Sequence, residues 1–276
     1  MSLYLDVFFL NKFLSQYVDN RLAGWPLMSN PLLIMAITIL YIYTAKKLGP
    51  ALMENRKPFN LKKTLFVYNL MQVIFSSWLF YRLATAGWLT GKFSFICQPL
   101  DTSTSPEAMK MVSTVYWYFI SKFTEFFDTI FFIMRKKYNQ ISTLHLIHHG
   151  IMPIGSWLAI SLSPGGHVSF VPLLNTFVHI IMYSYYLLSA MGPSLKKYLW
   201  WKRYLTSLQI IQFVLIMVQS MQPLFTDCPY PRAISCWITC ESVLFVFLFK
   251  QFYEETYKKV LGKNSKNTSE RTTKAN

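Results

Sequence analysis

Long apolar segments alternate with short polar gaps along almost the whole chain. A helix that crosses a bilayer needs about 20 apolar residues, and seven segments approach this length. They lie near residues 31–45, 64–84, 112–134, 142–160, 170–190, 204–222 and 234–252. The first is short and the fourth begins with polar histidines, so six spans are the alternative. The pattern predicts an all-α, polytopic membrane protein with seven transmembrane helices.

The composition decides how the net charge should be interpreted. Hydrophobic residues make up 53% of the chain and charged residues only 14%, whereas a soluble domain carries about 25% charged residues. A net charge of +15 would suggest nucleic acid in a soluble protein. Here the basic residues lie in the polar gaps, and aromatic residues crowd the ends of the apolar segments, as at lipid headgroup depth. We expect a lipid bilayer as partner and no nucleic acid.

Lysine and arginine are divided unequally between the two sets of gaps. The rich set holds Lys46, Lys47, Arg56, Lys57, Lys62, Lys63, Arg135, Lys136, Lys137, Lys196, Lys197, Lys202, Arg203 and the basic tail. The poor set holds Lys12, Arg21, Lys92, Lys110 and Arg232. Because positively charged loops stay in the cytosol, we expect a lumenal N-terminus and a cytosolic C-terminus. We also expect one membrane domain over residues 1–261 and a disordered cytosolic tail over 262–276.

The four cysteines lie toward the poor side of the membrane. Cys97 and Cys228 fall in gaps, and Cys236 and Cys240 begin the last span. An oxidising lumen would permit a Cys97–Cys228 disulfide, and four unpaired thiols are the alternative. In either case a catalytic thiol facing the cytosol is not expected.

Several polar side chains interrupt the apolar spans. Ionisable groups at membrane depth are costly and usually mark a functional path. The third span presents Lys122, Glu125 and Asp128 at a spacing of three, with Thr129 beside them. The fourth, fifth and sixth spans carry His145, His148 and His149, then Asn175, His179, Met182, Tyr183, Tyr185 and Tyr186, then Thr206, Gln209 and Gln212. Glu241 lies in the seventh span without an obvious partner.

Each set also has a structural interpretation. Lys122 could form an ion pair with Glu125 or Asp128, the glutamines could join helices by hydrogen bonds, and the tyrosines could belong to the interfacial aromatic belt. However, the four main clusters all fall in the middle or cytosolic half of their spans. One site opening to the cytosol requires this shared depth, whereas independent structural pairs do not.

Four of these clusters match sequence motifs of a known family. They are KFTEFFDT from Lys122, HLIHH from His145, NTFVHIIMYSYY from Asn175 and TSLQIIQ from Thr206. The chain resembles the ELO fatty acid elongases, whose signatures KxxExxDT, HxxHH, NxxxHxxMYxYY and TxxQxxQ occur here in order. HxxHH alone is also carried by membrane desaturases, but four motifs in register are specific. The flanking segments NPLL, RKPFNLKKTL and KYLWWKRYLTSLQ extend the resemblance over most of the chain.

The resemblance implies a seven-helix protein of the endoplasmic reticulum, in which six helices enclose a narrow acyl tunnel open to the cytosol. It implies condensation of a long-chain acyl-CoA with malonyl-CoA, which yields 3-oxoacyl-CoA, free CoA and carbon dioxide. No separate cofactor and no metal are expected. The other enzymes of the elongation cycle and a second copy of the chain are candidate partners.

Condensation needs a nucleophile that takes the acyl group from its thioester. The thiols lie at the wrong end of the spans, so imidazole is the available nucleophile. The resemblance points to His148, with His179 opposite. His145 and His149 would orient groups, relay protons or steady CoA.

The reaction also needs donors for the negative charge that develops on the thioester oxygen. The predicted substrate-binding residues are Lys122, Glu125, Asp128, Asn175, Tyr183, Tyr186, Gln209 and Gln212. The amides are neutral donors suited to carbonyl and enolate oxygens. The lysine suits a carboxylate or phosphate, and the two carboxylates would set its position.

Two other classes of protein are alternatives. A di-iron membrane desaturase or hydroxylase shares HxxHH, but its family pattern needs more than the five histidines present here, and His167 lies in a lumenal gap. Seven spans also describe a receptor or transporter. A receptor gains nothing from three imidazoles at a helix end, and a transporter would carry broken helices or an internal repeat.

Overall fold

The computed structural model describes residues 16–258, and all regular secondary structure in that range is helical. The seven long helices are α1 Pro31–Met53, α2 Lys62–Leu83, α3 Pro106–Thr124 continued by Phe126–Met134, α4 Thr143–Leu162, α5 Phe170–Met191, α6 Lys202–Phe225 and α7 Arg232–Tyr253. The predicted tail at 262–276 lies outside the described residues, and the single domain over 1–261 stays a prediction.

Short polar side chains fix where three of the helices begin. Asn30 accepts a hydrogen bond from the backbone of Leu33, Ser105 from that of Ala108, and Ser142 from the first turn of α4. Proline follows Asn30 and Ser105 directly, where its missing N–H costs nothing. Such caps satisfy amide groups that would otherwise lack partners at a helix start.

The helices form a multi-pass membrane protein. By length and composition, α1, α2, α5, α6 and α7 can each cross a membrane. The two remaining helices, α3 and α4, fall outside that set and carry the lysine, carboxylate and histidine motifs. Large apolar side chains such as Ile39, Met71 and Phe247 are exposed on the outside.

Six of the helices pack in a closed ring. Helix α2 contacts α3 and α5, α5 contacts α6, α6 contacts α7, α7 contacts α4, and α4 contacts α3. Helix α1 lies outside this ring against α4 and the second part of α3. At Gly49 a Cβ atom would lie 2.8 Å from Cδ1 of Ile133, so the glycine permits this close approach. The prediction of six enclosing helices is confirmed, whereas the acyl tunnel stays a prediction.

Consecutive helices run in opposite directions, so the gaps alternate between two ends of the ring. One end, here called the basic end, consists of the gaps 54–61, 135–142 and 192–201. The opposite end, here called the disulfide end, consists of the gaps 89–105, 163–169 and 226–231. At the disulfide end Cys97 is bonded to Cys228, while Cys236 and Cys240 are free and exposed. The bridge, rather than four unpaired thiols, is what the structure contains.

Side-chain hydrogen bonds close the disulfide end. Trp88 Nε1 donates to Ser169 Oγ at 3.0 Å. Gln219 Nε2 donates to the carbonyl oxygen of His167 at 3.1 Å, and His167 Nε2 lies 2.7 Å from the carbonyl oxygen of Gln219. His167 therefore joins the start of α5 to α6 and has a structural role.

Two helices differ from the predicted spans. The first span was predicted to end at residue 45, but α1 continues through a π-helical turn, Thr44–Leu48, to Met53. The third span was predicted as one helix, but it is divided at Glu125. Ser121 Oγ and Thr124 Oγ1 donate to helix carbonyl oxygens one turn earlier, at 2.6 and 2.8 Å. Such bonds compete with the helix backbone and bend it.

Replacing Cys97 and Cys228 together by serine is expected to lower the free energy of unfolding by about 2–5 kcal/mol. The reason is that the bridge constrains an unfolded chain between positions 131 residues apart. Thermal unfolding in detergent, with and without reductant, measures the difference.

The matched control is Cys236→Ser with Cys240→Ser, which removes two thiols that form no bridge. It should change stability by less than about 0.5 kcal/mol. Equal stability of the two double variants would contradict the prediction.

Candidate active site

A lysine, a glutamate and an asparagine are hydrogen-bonded to one another inside the ring. Lys122 Nζ donates to Glu125 Oε1 at 2.7 Å and to Asn175 Oδ1 at 2.9 Å. Lys122 and Glu125 are each only 1% exposed. Burying two charges is expensive even when they are paired, and ionisable groups within membrane helices usually have a functional role. This pair is therefore the natural centre of a functional site.

His179 and Tyr118 complete this group. His179 Nδ1 lies 3.4 Å from Glu125 Oε1, and its Nε2 lies 3.4 Å from Asn175 Nδ2. The Tyr118 hydroxyl donates to Asn175 Oδ1 at 3.1 Å, and Lys122 Nζ lies 4.4 Å from the centre of the tyrosine ring. We call Tyr118, Lys122, Glu125, Asn175 and His179 the lysine network. Both the oxygen and the nitrogen of the Asn175 amide therefore have partners within the lysine network.

The first and third histidines of HxxHH join α4 to its neighbours. His145 Nε2 lies 2.7 Å from Thr129 Oγ1, which in turn lies 2.8 Å from the hydroxyl of Tyr41. The rings of His145 and His149 are 4.4 Å apart between centres. These contacts link the start of α4 to α3 and α1. Over residues 16–258, no group of three or more His, Cys, Asp or Glu side chains is arranged to hold a metal ion.

His148 has a different environment from the other two. Its ring is surrounded by the aromatic rings of Phe213, Phe245 and Phe249, with centre separations of 4.9 to 6.4 Å. Its Nδ1 atom is buried and has no hydrogen-bond partner among the described residues. Phe213 and Phe245 also line an internal space together with Asn175 of the lysine network. His148 is thus an imidazole with an uncommitted nitrogen beside an apolar wall.

Asp128 is paired with a tyrosine rather than with Lys122. The Tyr183 hydroxyl donates to Asp128 Oδ2 at 2.8 Å, and the tyrosine ring lies 5.7 Å from that of His179. Tyr183 is 1% exposed, whereas Tyr186 is 36% exposed. Of the two tyrosines predicted to bind substrate, Tyr183 therefore reaches the interior and Tyr186 lies at its edge.

The two glutamines of α6 are separated in the structure. Gln212 is buried and lines a small internal space together with Asn175. Gln209 is half-buried, and its Nε2 lies 3.6 Å from Met182 Sδ. Both were predicted to bind substrate, but only Gln212 borders the lysine network.

Some members of the site were missed by sequence reasoning. Tyr118 precedes Lys122 by four residues and so shares its helix face. Gln72 of α2 is buried and donates to the Tyr68 hydroxyl and to Thr124 Oγ1, at 3.1 and 3.2 Å. A polar residue in an apolar span was the available signal for Gln72, and helix periodicity was the signal for Tyr118.

A cleft opens at the basic end. Its volume is about 380 Å³, and it lies between α1 and the start of α4. It is lined by Ala45, Lys46, Pro50, Tyr138, Ile141, Thr143, Leu146 and Ile147. Because α1 lies outside the ring and no histidine of the described residues lines the cleft, this cleft borders the outer side of α4 and is not an opening into the ring.

The seven long helices, six of them in a closed ring, define a multi-pass membrane protein. Its interior is polar and holds imidazole, amide, lysine and carboxylate groups. The chain belongs to the ELO (GNS1/SUR4) family, whose sequence profile matches residues 26–266.

Curated relatives agree with this family over most of their length. A very long chain fatty acid elongase of Aedes aegypti is 56% identical over 255 residues, which cover 92% of this chain and 71% of that protein. Very long chain fatty acid elongase 7 of Drosophila melanogaster is 55% identical over 247 residues, which cover 89% of this chain and 75% of that protein. Very long chain fatty acid elongase 7 of Rattus norvegicus is 48% identical over 243 residues, which cover 87% of this chain and 86% of that protein.

Lys122→Met is expected to destabilise the protein by about 3–5 kcal/mol, because it leaves the Glu125 carboxylate buried without its cation. Adding Glu125→Gln should recover much of that loss, since neither charge then remains. Thermal unfolding in detergent measures both effects.

Lys110→Met is the matched control, because it removes an exposed lysine from the same helix. It should change stability by less than about 0.5 kcal/mol. If Lys122→Met unfolded at the same temperature as this control, the predicted contribution of the Lys122–Glu125 pair to stability would be contradicted.

Proposed function

We propose that the protein is an enzyme of fatty acid elongation in the endoplasmic reticulum membrane that condenses a long-chain acyl-CoA with malonyl-CoA. The products are 3-oxoacyl-CoA, free CoA and carbon dioxide. The observation that carries the proposal is His148, a half-buried imidazole whose Nδ1 atom is buried and has no partner among the described residues. Its neighbours Phe213 and Phe245 line one internal space together with Asn175 of the lysine network. Membership of a family whose relatives are named fatty acid elongases supports it.

In the first step, a nitrogen of His148 attacks the thioester carbonyl carbon. The carbon–sulfur bond breaks, the CoA sulfur leaves as a thiolate and takes up the proton that the imidazole loses on acylation, and a neutral acyl-imidazole remains. The phenyl rings around His148 support this role, because exclusion of water protects a reactive acyl intermediate from hydrolysis.

In the second step, malonyl-CoA loses its carboxylate as carbon dioxide. The electron pair released forms an enolate, whose carbon attacks the acyl carbonyl while the bond to imidazole breaks. The leaving imidazole nitrogen takes up one proton from solvent, which restores neutral His148. Negative charge on the thioester oxygen needs neutral donors that are held in place. We assign this role to Asn175, because its amide is fixed by Lys122, Tyr118 and His179.

Lys122 is better suited to positioning than to binding phosphate. It is buried and already bonded to Glu125 and Asn175, so an incoming phosphate would have to displace an existing partner. Glu125 also contacts His179 Nδ1, which orients the second imidazole across from His148. The carboxylate thereby connects the cation to the imidazole.

We further propose that the basic end faces the cytosol and the disulfide end faces the lumen. Two independent features support this orientation. Positively charged loops favour the cytosol, and a disulfide persists in an oxidising compartment. Acyl-CoA and malonyl-CoA would then approach from the cytosol, at the end of the ring where α4 begins and carries its histidines.

His148→Ala is expected to reduce condensation below detection, because no other imidazole has the same phenyl-walled position. Microsomes expressing each form are given labelled malonyl-CoA and a panel of acyl-CoAs, and the products are sized by chromatography. The comparison requires that the variant insert into the membrane to the same extent as the unmodified protein and unfold at the same temperature. Full activity in a correctly inserted His148→Ala protein would refute the assignment of the nucleophile.

Incubation with acyl-CoA alone should leave an acyl group on the peptide that contains His148. Acid quenching followed by peptide mass spectrometry detects it, and addition of malonyl-CoA should discharge it as 3-oxoacyl-CoA. His148→Ala serves as the control without the nucleophile. An active protein that gives no adduct under trapping conditions would argue for direct condensation.

A further inference from the structure

Glu241 of α7 has no role in the proposed reaction, yet its carboxyl group lies inside the protein. Its Oε1 atom is buried and finds no hydrogen-bond partner among the residues that the structure describes. Native proteins rarely leave buried polar atoms unpaired, and each exception calls for an explanation such as a bound ligand group.

A second unpaired acceptor borders the same space. Gln212 Oε1, on the neighbouring helix α6, is also buried without a partner in the described part of the chain. Glu241 and Gln212 both line an internal space of about 20 Å³, together with Tyr118, Asn175 and Ser242. That volume accommodates one water-sized group. A single hydroxyl group bound in this space could donate a hydrogen bond to one of these two unpaired acceptors.

The other side chains around this small space are mostly apolar, so an acyl chain could pack beside it. The apolar lining residues are Met152, Val171, Phe213, Ile216, Ile238 and Phe245. Two of them, Phe213 and Phe245, also contact the ring of His148. The space is therefore continuous with the wall around the proposed nucleophile.

The position of Gly155 gives the depth of Glu241 relative to His148. A Cβ atom at Gly155 would lie 2.8 Å from Glu241 Oε1, so the two are direct neighbours. Gly155 follows His148 by seven residues on α4, which is about 10 Å along the helix axis. A long acyl chain attached at His148 would thus bring its middle carbons, not its end, to this level.

We propose that Glu241 and Gln212 form a hydroxyl-recognition site within the acyl-binding space. The enzyme then prefers fatty acyl chains that carry a hydroxyl group near the middle over unsubstituted chains of the same length. The hydroxyl donates to one of the two free acceptors, whereas a plain alkyl chain leaves both unpaired. This inference rests on the proposed elongation of acyl-CoA and adds its substrate preference.

The test compares stearoyl-CoA with a stearoyl-CoA that carries one hydroxyl near mid-chain. Microsomes expressing the full chain receive malonyl-CoA with each substrate, and kcat/KM for two-carbon extension is measured. The unmodified protein should favour the hydroxylated substrate. In Glu241→Leu the ratio of the two kcat/KM values should fall about five- to tenfold, the size of one lost hydrogen bond, while stearoyl-CoA is still extended.

Three further variants distinguish loss of the proposed hydrogen bond from a general effect of mutation on the fold. Glu241→Gln keeps an acceptor of the same shape and should hold the ratio within about twofold. Gly155→Ala displaces the Glu241 carboxyl without changing its chemistry and should lower the ratio in the same direction as Glu241→Leu. Val243→Leu alters an exposed position on the same helix and should leave the ratio unchanged.

The outcomes distinguish this inference from the proposed function. If the unmodified protein prefers plain stearoyl-CoA, or if Glu241→Leu and Gly155→Ala leave the ratio unchanged, the inference is overturned and elongation stands. A resident water between the two acceptors would give that second result. If the unmodified protein extends neither substrate nor any other acyl-CoA, the proposed function itself fails.

Discussion

A charged group at membrane depth has to be neutralised within the protein, because lipid offers it neither water nor counterions. In this chain the Lys122–Glu125 pair meets that requirement on a single helix, at a spacing of three residues. The lysine has further hydrogen-bonding capacity, which Asn175 of α5 takes up. The same bonds that make the charges tolerable thus tie α3 to α5 and hold the reactive side chains in place.

The two ends of the ring carry different groups. The disulfide end is closed by the Cys97–Cys228 bond and by paired hydrogen bonds between His167 and Gln219. The basic end holds the start of α4, whose first turns carry the three histidines of HxxHH. The covalent bond that stabilises the ring and these imidazoles therefore lie toward opposite ends.

The internal wall combines groups with opposite requirements. Phenyl rings pack against His148, while amide and carboxyl oxygens of Gln212 and Glu241 lack donors among the described residues. Unpaired buried acceptors are costly in a folded protein. They become useful if a substrate supplies the missing donor, since discrimination is strongest where a site is built around a hydrogen bond.

The sequence by itself determined the seven spans, because the thickness and polarity of a bilayer set the length and composition of each one. It also indicated pairs within one helix, such as Lys122 with Glu125, because helical periodicity is local. Only the tertiary structure decided that α1 lies outside the ring, that α3 breaks at Glu125, and that Gln212 but not Gln209 reaches the interior. The position of α1 and the separation of the two glutamines depend on how separate helices pack, and side chains distant in sequence determine that packing. The break in α3 accompanies local bonds of Ser121 and Thr124 to helix carbonyl oxygens, which the apolar pattern of a span does not reveal.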